Sequence, residues 1–426
     1  MLRTYLRFVL QSVLGMLGLS VYILADTFFI ANYIGADALT ALNLALPVYG
    51  VINGAGLLIG IGGATRYTIR RTRGEPGGAA FSASLLLGAG AALLFVLIGL
   101  FLPERLARLL GASGGVLAPT TTYLQVCCLF APLFLLNNIL VSFTRNDEAP
   151  GFGMAAMLVG SFANIAMDWY LVCVAGMGIF GAVLATGMSP VFGIVICLCR
   201  RRGFRPNTAG MLREIPQIFG AGFSAFVGEL SSTVVILIFN YLLLALSGNT
   251  AVAAYGIIAN VALVATAMLT GAAQGAQPLF SGAFAGGDAA ALRRLTRWGI
   301  CVALLLGAGF AALALLLPET VVSVFSRGDA ALTALAVPGL TLYFTNYLFS
   351  GVNLLLTARF AATERARPAA VLSLLRGVVL VIPCALLCAA AGGVTGLWLA
   401  VPAAELLTLL TGLWLLRRAA MQLART

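Results

Sequence analysis

Apolar runs long enough to cross a lipid bilayer recur along nearly the whole chain, and no other feature constrains its folding as strongly. They lie at about 5–32, 42–67, 79–102, 117–143, 152–175, 178–199, 217–246, 251–282, 296–317, 333–357, 369–391 and 394–416. A bilayer core about 30 Å thick takes about 20 helical residues, and only helices and closed barrels satisfy their backbone groups in lipid. The runs therefore predict an all-α integral membrane protein with twelve transmembrane helices, numbered here as spans 1 to 12. Of the 426 residues 61% are hydrophobic and only 9% charged, where soluble domains carry roughly 25% charge. The junctions between spans 5 and 6 and between spans 11 and 12 rest on Gly176, Gly178, Gly392 and Gly393.

The net charge of +11 is carried by 25 arginines, with no lysine or histidine. Their placement argues for membrane topology rather than nucleic-acid binding. Twenty-one fall at the two termini and in the even-numbered connections, including Arg66, Arg70, Arg71, Arg73, Arg145, Arg359 and the group Arg200, Arg201, Arg202, Arg205 and Arg213. Arg105, Arg108 and Arg327 lie on the other side, and Arg376 falls inside span 11. Basic connections stay in the cytoplasm, so both termini are expected there, with the protein multi-pass in the plasma (inner) membrane. The first apolar run has no convincing cleavage site and is too long for a signal sequence, so it reads as a retained span. Eight cysteines, mostly within apolar runs and without zinc-site spacing, read as small core residues. Absence of histidine removes imidazole metal ligation and Ser-His chemistry, and no catalytic constellation is present: no enzyme and no cofactor are expected.

The longest polar connection divides the spans six and six, giving an N-terminal lobe 1–199, a cytoplasmic linker 200–216 and a C-terminal lobe 217–426. Shifting one half onto the other by 213 residues aligns Gly35 with Gly248, Gly62 with Gly275 and Gly74 with Gly287. With an even number of spans in each half, the repeats are parallel, related by an axis along the membrane normal. The glycine-rich segment 56–67 has neither a Walker ending nor a preceding strand, and is expected to allow close helix packing.

Four acidic residues lie inside spans: Asp26, Asp168, Glu229 and Glu405. A carboxylate there costs at least ~2.5–3.5 kcal/mol on insertion scales and marks a working site by default. Asp26 and Asp168 fall about 30 Å and about 25 Å along their helices from the cytoplasmic ends, both in the outer half of the first bundle. Asn164 precedes Asp168 by one turn and shares its helix face. Together they form a candidate proton or sodium site, completed by Asn137 or Asn138 and by Thr186; a bound Na⁺ would sit at Asp26, Asn164 and Asp168. The competing reading makes Asp26 a cap at a helix break and Asp168 a structural hydrogen-bonder. Glu229 is placed to attract a cationic substrate or ion, with Asn240, Asn260 and Gln274 adding polar character to spans 7 and 8. Arg376 needs a partner if buried, and Glu405 is one candidate.

Five segments together resemble the multidrug and toxic compound extrusion (MATE) family over nearly the full length. They are ADTFFIANYIGADALTALNLALP at 25–47, IGGATRYTIRRTRGE at 61–75, TRNDEAPGFGMAAMLVGSFANIAMDW at 144–169, GAVLATGMS at 181–189, and AAYGIIANV with GAAQGAQPLFSGAFAGGD at 253–288. The resemblance implies two six-helix lobes facing a central cavity and export of organic cations or other amphipathic small molecules against H⁺ or Na⁺. It also implies that Asp26, Asn164, Asp168 and Thr186 match the family's first-lobe ion site, with Asn137 or Asn138 less firmly matched, and that Glu229 matches a span-7 acid. Span 10 lacks the acid that one branch of the family pairs with it, which favours coupling in the first lobe. The partners expected are small molecules and the bilayer, with the chain a monomer. A flippase for lipid-linked precursors is the main alternative, to be favoured by a strongly basic cavity; a membrane enzyme or a channel are the others.

Overall fold

The computed structural model describes residues 1–199, 204–326 and 329–423, and all regular structure among them is helical. Arg200, Arg201, Arg202, Arg327 and Arg425 lie outside the described residues. The chain opens with α1 (Leu2–Phe29), prolonged by a π-helical turn at Ile30–Ile34. It continues through α2 (Ala36–Thr72), α3 (Gly78–Phe101) and the short α4 (Pro103–Leu109). Next come α5 (Leu117–Leu129) and α6 (Ala131–Asn146), α7 (Pro150–Asp168) with a π-helical turn at Trp169–Val174, and α8 (Gly178–Leu198). The second half comprises α9 (Met211–Ala285), α10 (Ala289–Leu316), the short α11 (Pro318–Ser326), α12 (Ala330–Phe344) and α13 (Tyr347–Ala362). It ends with α14 (Ala366–Leu374), a π-helical turn at Leu375–Val379, α15 (Val381–Trp398) and α16 (Ala400–Leu423).

These helices resolve into twelve spans. Nine are long and apolar enough to cross a membrane, and the pairs α5–α6 and α12–α13, bent by 48° and 44°, each make one more. The 75-residue α9 would be about 110 Å long if straight, far beyond a bilayer core of about 30 Å. It breaks at Gly248, whose φ of 69° only glycine adopts without strain, and so supplies two spans. Gly35, its counterpart 213 residues earlier, breaks spans 1 and 2 with φ 116°. Gly176 and Gly178, and Gly392 with Gly393, likewise interrupt the chain where the later junctions were expected. Leucines and phenylalanines such as Leu93, Phe101, Leu305, Leu316 and Leu387 are exposed around the outside, the ordinary state for a surface solvated by lipid. The molecule is an integral membrane protein.

Several helices run further than hydropathy indicated, and this carries charged residues expected in connections into buried positions. Arg145 and Arg359, expected in cytoplasmic connections, instead lie within α6 and α13 and are buried. Backbone hydrogen bonding continues to the last satisfiable carbonyl, whereas an apolar window stops at the first charge. Cys127, Cys128 and Cys197 are buried as expected, but Cys199 and Cys301 are exposed.

Separate apolar cores form in the two halves. Tyr123, Leu124, Cys127 and Phe134 belong to one, and Phe239, Tyr255, Tyr343 and Trp398 to the other, where the rings of Phe239 and Tyr255 stack at 4.9 Å. The halves meet along two helix crossings. At the first, a Cβ on Gly62 of α2 or Gly222 of α9 would overlap the backbone carbonyl of Ile218 or Leu58. At the second, a Cβ on Gly275 of α9 would come within 2.7 Å of the Phe8 carbonyl and 2.8 Å of Val9 Cα in α1. Gly275 stands 213 residues after Gly62, and Gly222 stands 213 after Val9: the two crossings are the same contact made twice. Bare backbone at these points lets the helices approach closely.

Both crossings lie toward the face that carries the N-terminus and most arginines. There an ionic network also spans the halves. Arg66 Nε donates to Glu214 Oε2 at 2.9 Å and the same guanidinium reaches Glu364, while Arg70 pairs with Glu214 and, at 3.1 Å, with Glu75. Arg71 pairs with Asp147, which also accepts from the Tyr67 hydroxyl at 3.0 Å. Glu214 opens the second half and is buried, so its two arginines bind α2 to α9 where water competes little. At this face the two halves are closed against each other.

Alanine at Gly222 is expected to wedge this seam, at about 1–3 kcal/mol as for other overpacked sites, and to lower the thermal unfolding temperature in detergent. Gly228, on the same helix, has nothing within 4 Å of the place an added methyl would take and serves as control: its alanine variant should be neutral or slightly stabilising. Equal melting of the two variants would dismiss the seam as a packing constraint.

Candidate functional site

Asp26, on α1 one turn before its π-helical segment, and Asp168, the last α-helical residue of α7 before another, are both buried. In each, Oδ1 has no hydrogen-bond partner, and the two carboxylates lie within charge-interaction range of each other. The Asn164 amide turns its nitrogen to Asp168 Oδ2 at 3.0 Å while its oxygen accepts from the Thr186 backbone N–H at 3.2 Å. The Thr186 hydroxyl donates to the Ala182 carbonyl at 3.1 Å. The fold thus brings Asp26, Asn164, Asp168 and Thr186 together from α1, α7 and α8. Among the described residues no group of three or more His, Cys, Asp or Glu side chains is arranged to hold a metal ion.

The carboxylate pair does not itself line the large cavity of about 500 Å³ that opens between the halves. Tyr22, one turn before Asp26, does line it. That ring lies within charge-interaction range of Asp26, Asp168 and Glu229, and its hydroxyl meets that of Tyr49 at 3.0 Å. Tyr123 of α5 also lies within charge-interaction range of both aspartates.

Glu229 lines the cavity on the side of the second half. Its Oε1 accepts from Asn53 Nδ2 at 2.9 Å, and Asn53 Oδ1 accepts in turn from Asn138 Nδ2 at 2.9 Å. This chain of amides ties α9 to α2 and α6, so Asn138 is directed at Glu229 rather than at the aspartates. Asn137 also faces the cavity, with its Oδ1 buried and unpartnered. Of the other polar residues expected there, Gln274 lines the cavity, whereas Asn240 is half-buried outside its wall and Asn260 is exposed. One position along a helix turns a side chain by about 100°, enough to carry Asn260 away from neighbours Ala259 and Ala262, which line the cavity.

Two arginines and two glutamates stand in the cavity wall. Arg376, in the π-helical turn before α15, donates from Nε at 3.1 Å and Nη2 at 2.7 Å to Glu405 Oε1. Glu405 Oε2 accepts from Asn353 Nδ2 at 2.7 Å. The expected pairing of Arg376 with Glu405 is therefore made. Arg145 donates from Nη1 to Gln274 Oε1 at 2.8 Å, and its Nε has no partner. Sequence reasoning missed Tyr22, Tyr49, Asn53 and Arg145. For Asn53 the available signal was an amide in the middle of span 2; the tyrosines carry no signal apart from the fold.

A family model described as MatE matches residues 12–170 and 225–387. Multidrug export protein MepA of Staphylococcus saprophyticus is 29% identical over 385 residues, covering 88% of this chain and 85% of its own. MepA of Staphylococcus aureus is 29% identical over 416 residues, covering 92% and 88%. Among solved structures, MATE in complex with MaL6 superposes with a TM-score of 0.92 at 20% identity over 99% of this chain and 97% of the other. A multidrug resistance MATE family transporter of the MOP superfamily in an outward-facing conformation does so at 0.90 and 20%, over 99% and 96%. Matched by the family model over most of its length and folded throughout like these solved MATE structures, the chain belongs to the MatE family and is an integral membrane transporter, not an enzyme.

Proposed function

We propose that the protein is a secondary active exporter that antiports organic cations or other amphipathic small molecules against H⁺, or Na⁺, by alternating access. The observation that carries this reading is the buried pair Asp26 and Asp168, each with a carboxylate oxygen left unsatisfied, behind the wall of a cavity lined from both halves. Two neighbouring carboxylates in a low-dielectric interior cannot both stay charged without a cation between them. Of the two ions H⁺ asks less of the site, because either unpartnered Oδ1 can take a proton with no further ligand. The curated relatives named as multidrug export proteins support the class of substrate.

On this reading the working units are an N-terminal lobe 1–199 and a C-terminal lobe 217–426 joined by linker 200–216, acting as a monomer. The arginine-rich face is cytoplasmic, the membrane is the plasma (inner) membrane, and both termini lie inside. Closure of the lobes by the glycine crossings and the arginine network makes this an outward-facing state. Ion binding at Asp26 and Asp168 changes the charge felt at Tyr22, and through it the hold of Glu229 and the cavity on a cation. Ion and substrate must favour different conformations for this to drive export. The flippase reading needs a strongly basic cavity, and here the wall carries as many glutamates, Glu229 and Glu405, as arginines, although only Arg376 and Glu405 are paired.

Asp26→Asn and Asp168→Asn proteins are expected to fold normally yet lose ion-driven efflux of a cationic dye from proteoliposomes; undiminished transport by both would sink the proposal. Glu229→Gln should raise the KM for the same dye roughly tenfold, about 1.4 kcal/mol, with little change for an uncharged amphipathic substrate. Imposing the two gradients separately should give dye export with a pH gradient and none with a sodium gradient alone; the reverse result would assign the site to Na⁺.

A further inference from the structure

Arg145 is 5% exposed, yet it lines the central cavity near its arginine-rich end. On α2 and at its C-cap, Arg66, Arg70, Arg71 and Arg73 each meet a carboxylate, while buried Arg359 of α13 donates to the Thr296 hydroxyl and does not line the cavity. Arg376, the second cavity arginine, is held by Glu405. Arg145 hydrogen-bonds to the neutral Oε1 of Gln274, makes no ion pair among the described residues, and has its Nε buried without a partner. Because Gln274 spends its oxygen on the guanidinium, the group it has left is an N–H donor. Its helix neighbour Gln277, also in the wall, is turned away to Thr65 Oγ1 at 3.1 Å. The result is a fixed cation and an amide donor facing a cavity, with their anion missing. A buried guanidinium without a counter-charge is costly, and the planar fork of arginine matches a carboxylate in two parallel hydrogen bonds.

We infer that Arg145 and Gln274 form an anion-binding subsite in the central cavity. It takes a carboxylate-like anion, supplied either by a zwitterionic substrate whose cationic end faces Glu229 or by a small free anion that enters with a cationic substrate. This inference rests on the proposed role of the cavity as the drug site.

The test uses the purified full-length protein in nanodiscs and two fluorescent probes, a rhodamine bearing a free carboxylate and its methyl ester, with binding read by polarisation. If the substrate supplies the anion, Arg145→Gln weakens the acid about tenfold and does not weaken the ester, while Arg145→Lys recovers part of the loss. If a free anion fills the site, binding of the ester to the native protein is several-fold tighter in acetate than in chloride at the same ionic strength, and Arg145→Gln abolishes that difference. Gln274→Glu supplies an internal counter-charge, so it should weaken the acid and strengthen the ester; it decides the matter if Arg145→Gln fails to fold. Equal weakening of both probes by these variants, with no acetate dependence, overturns the subsite and leaves Arg145 a structural residue. Failure of the native protein to bind either probe would instead overturn the reading of the cavity as a drug site, and the subsite with it.

Discussion

Charge inside a bilayer has to be answered by something, and the organisation of this molecule follows from where that answer comes from within the chain and where it does not. Arg376 and Glu405 answer each other, and Asn353 takes the remaining carboxylate oxygen. Glu229 is answered by amides from the opposite half. Asp26, Asp168 and Arg145 are each left with an atom unsatisfied. Unfinished polar groups of this kind are rare in folded proteins and expensive to maintain. A transporter has use for them, because binding and release of a cargo need sites that are complete only part of the time.

The closed face shows the complementary strategy. Glycines at 62, 222 and 275 remove side chains so that backbones touch, and arginines of α2 reach across to Glu214 and Glu364. Close packing is specific but has little reach, while the ion pairs have reach, and those to the exposed Glu364 exchange readily with water. A seam built from both can be well defined when shut and still be opened without unfolding either half, since each half keeps its own apolar core.

Much of this was legible in the sequence because lipid imposes one rule on every span. The twelve runs, the breaks at Gly176 and Gly393, and the buried acids all follow from hydropathy and the cost of charge. Ends of helices were less legible: α6 carries Arg145 and α13 carries Arg359 into buried positions, since a window average cannot tell a charge at a helix end from one in a loop. Short α4 and α11 were missed altogether. Their signal was present as Leu-Pro-Glu at 102–104 and again at 317–319, a proline-started helix repeated in both halves. The gathering of Asp26, Asn164, Asp168 and Thr186 was expected; what no spacing could convey is that Tyr22 lines the cavity while the aspartates do not, or that Asn138 points to Glu229. Those depend on how helices distant in sequence are rotated against each other.

Three helices contain a π-helical turn, after Asp26, directly after Asp168, and around Arg376. Each such turn closes a hydrogen bond over five residues, as from Ala175 N to Tyr170 O at 2.8 Å, and so accommodates one residue more than the α-helical pitch. That surplus residue rotates everything beyond it by about 100° about the helix axis. The face of α7 that presents Asn164 and Asp168 is therefore not continued by the residues above them. Redistributing one hydrogen bond in such a turn would rotate the outer end of the helix like a crank while its lower part stays packed, so these helices contain their own points of rotation without a proline or a loop.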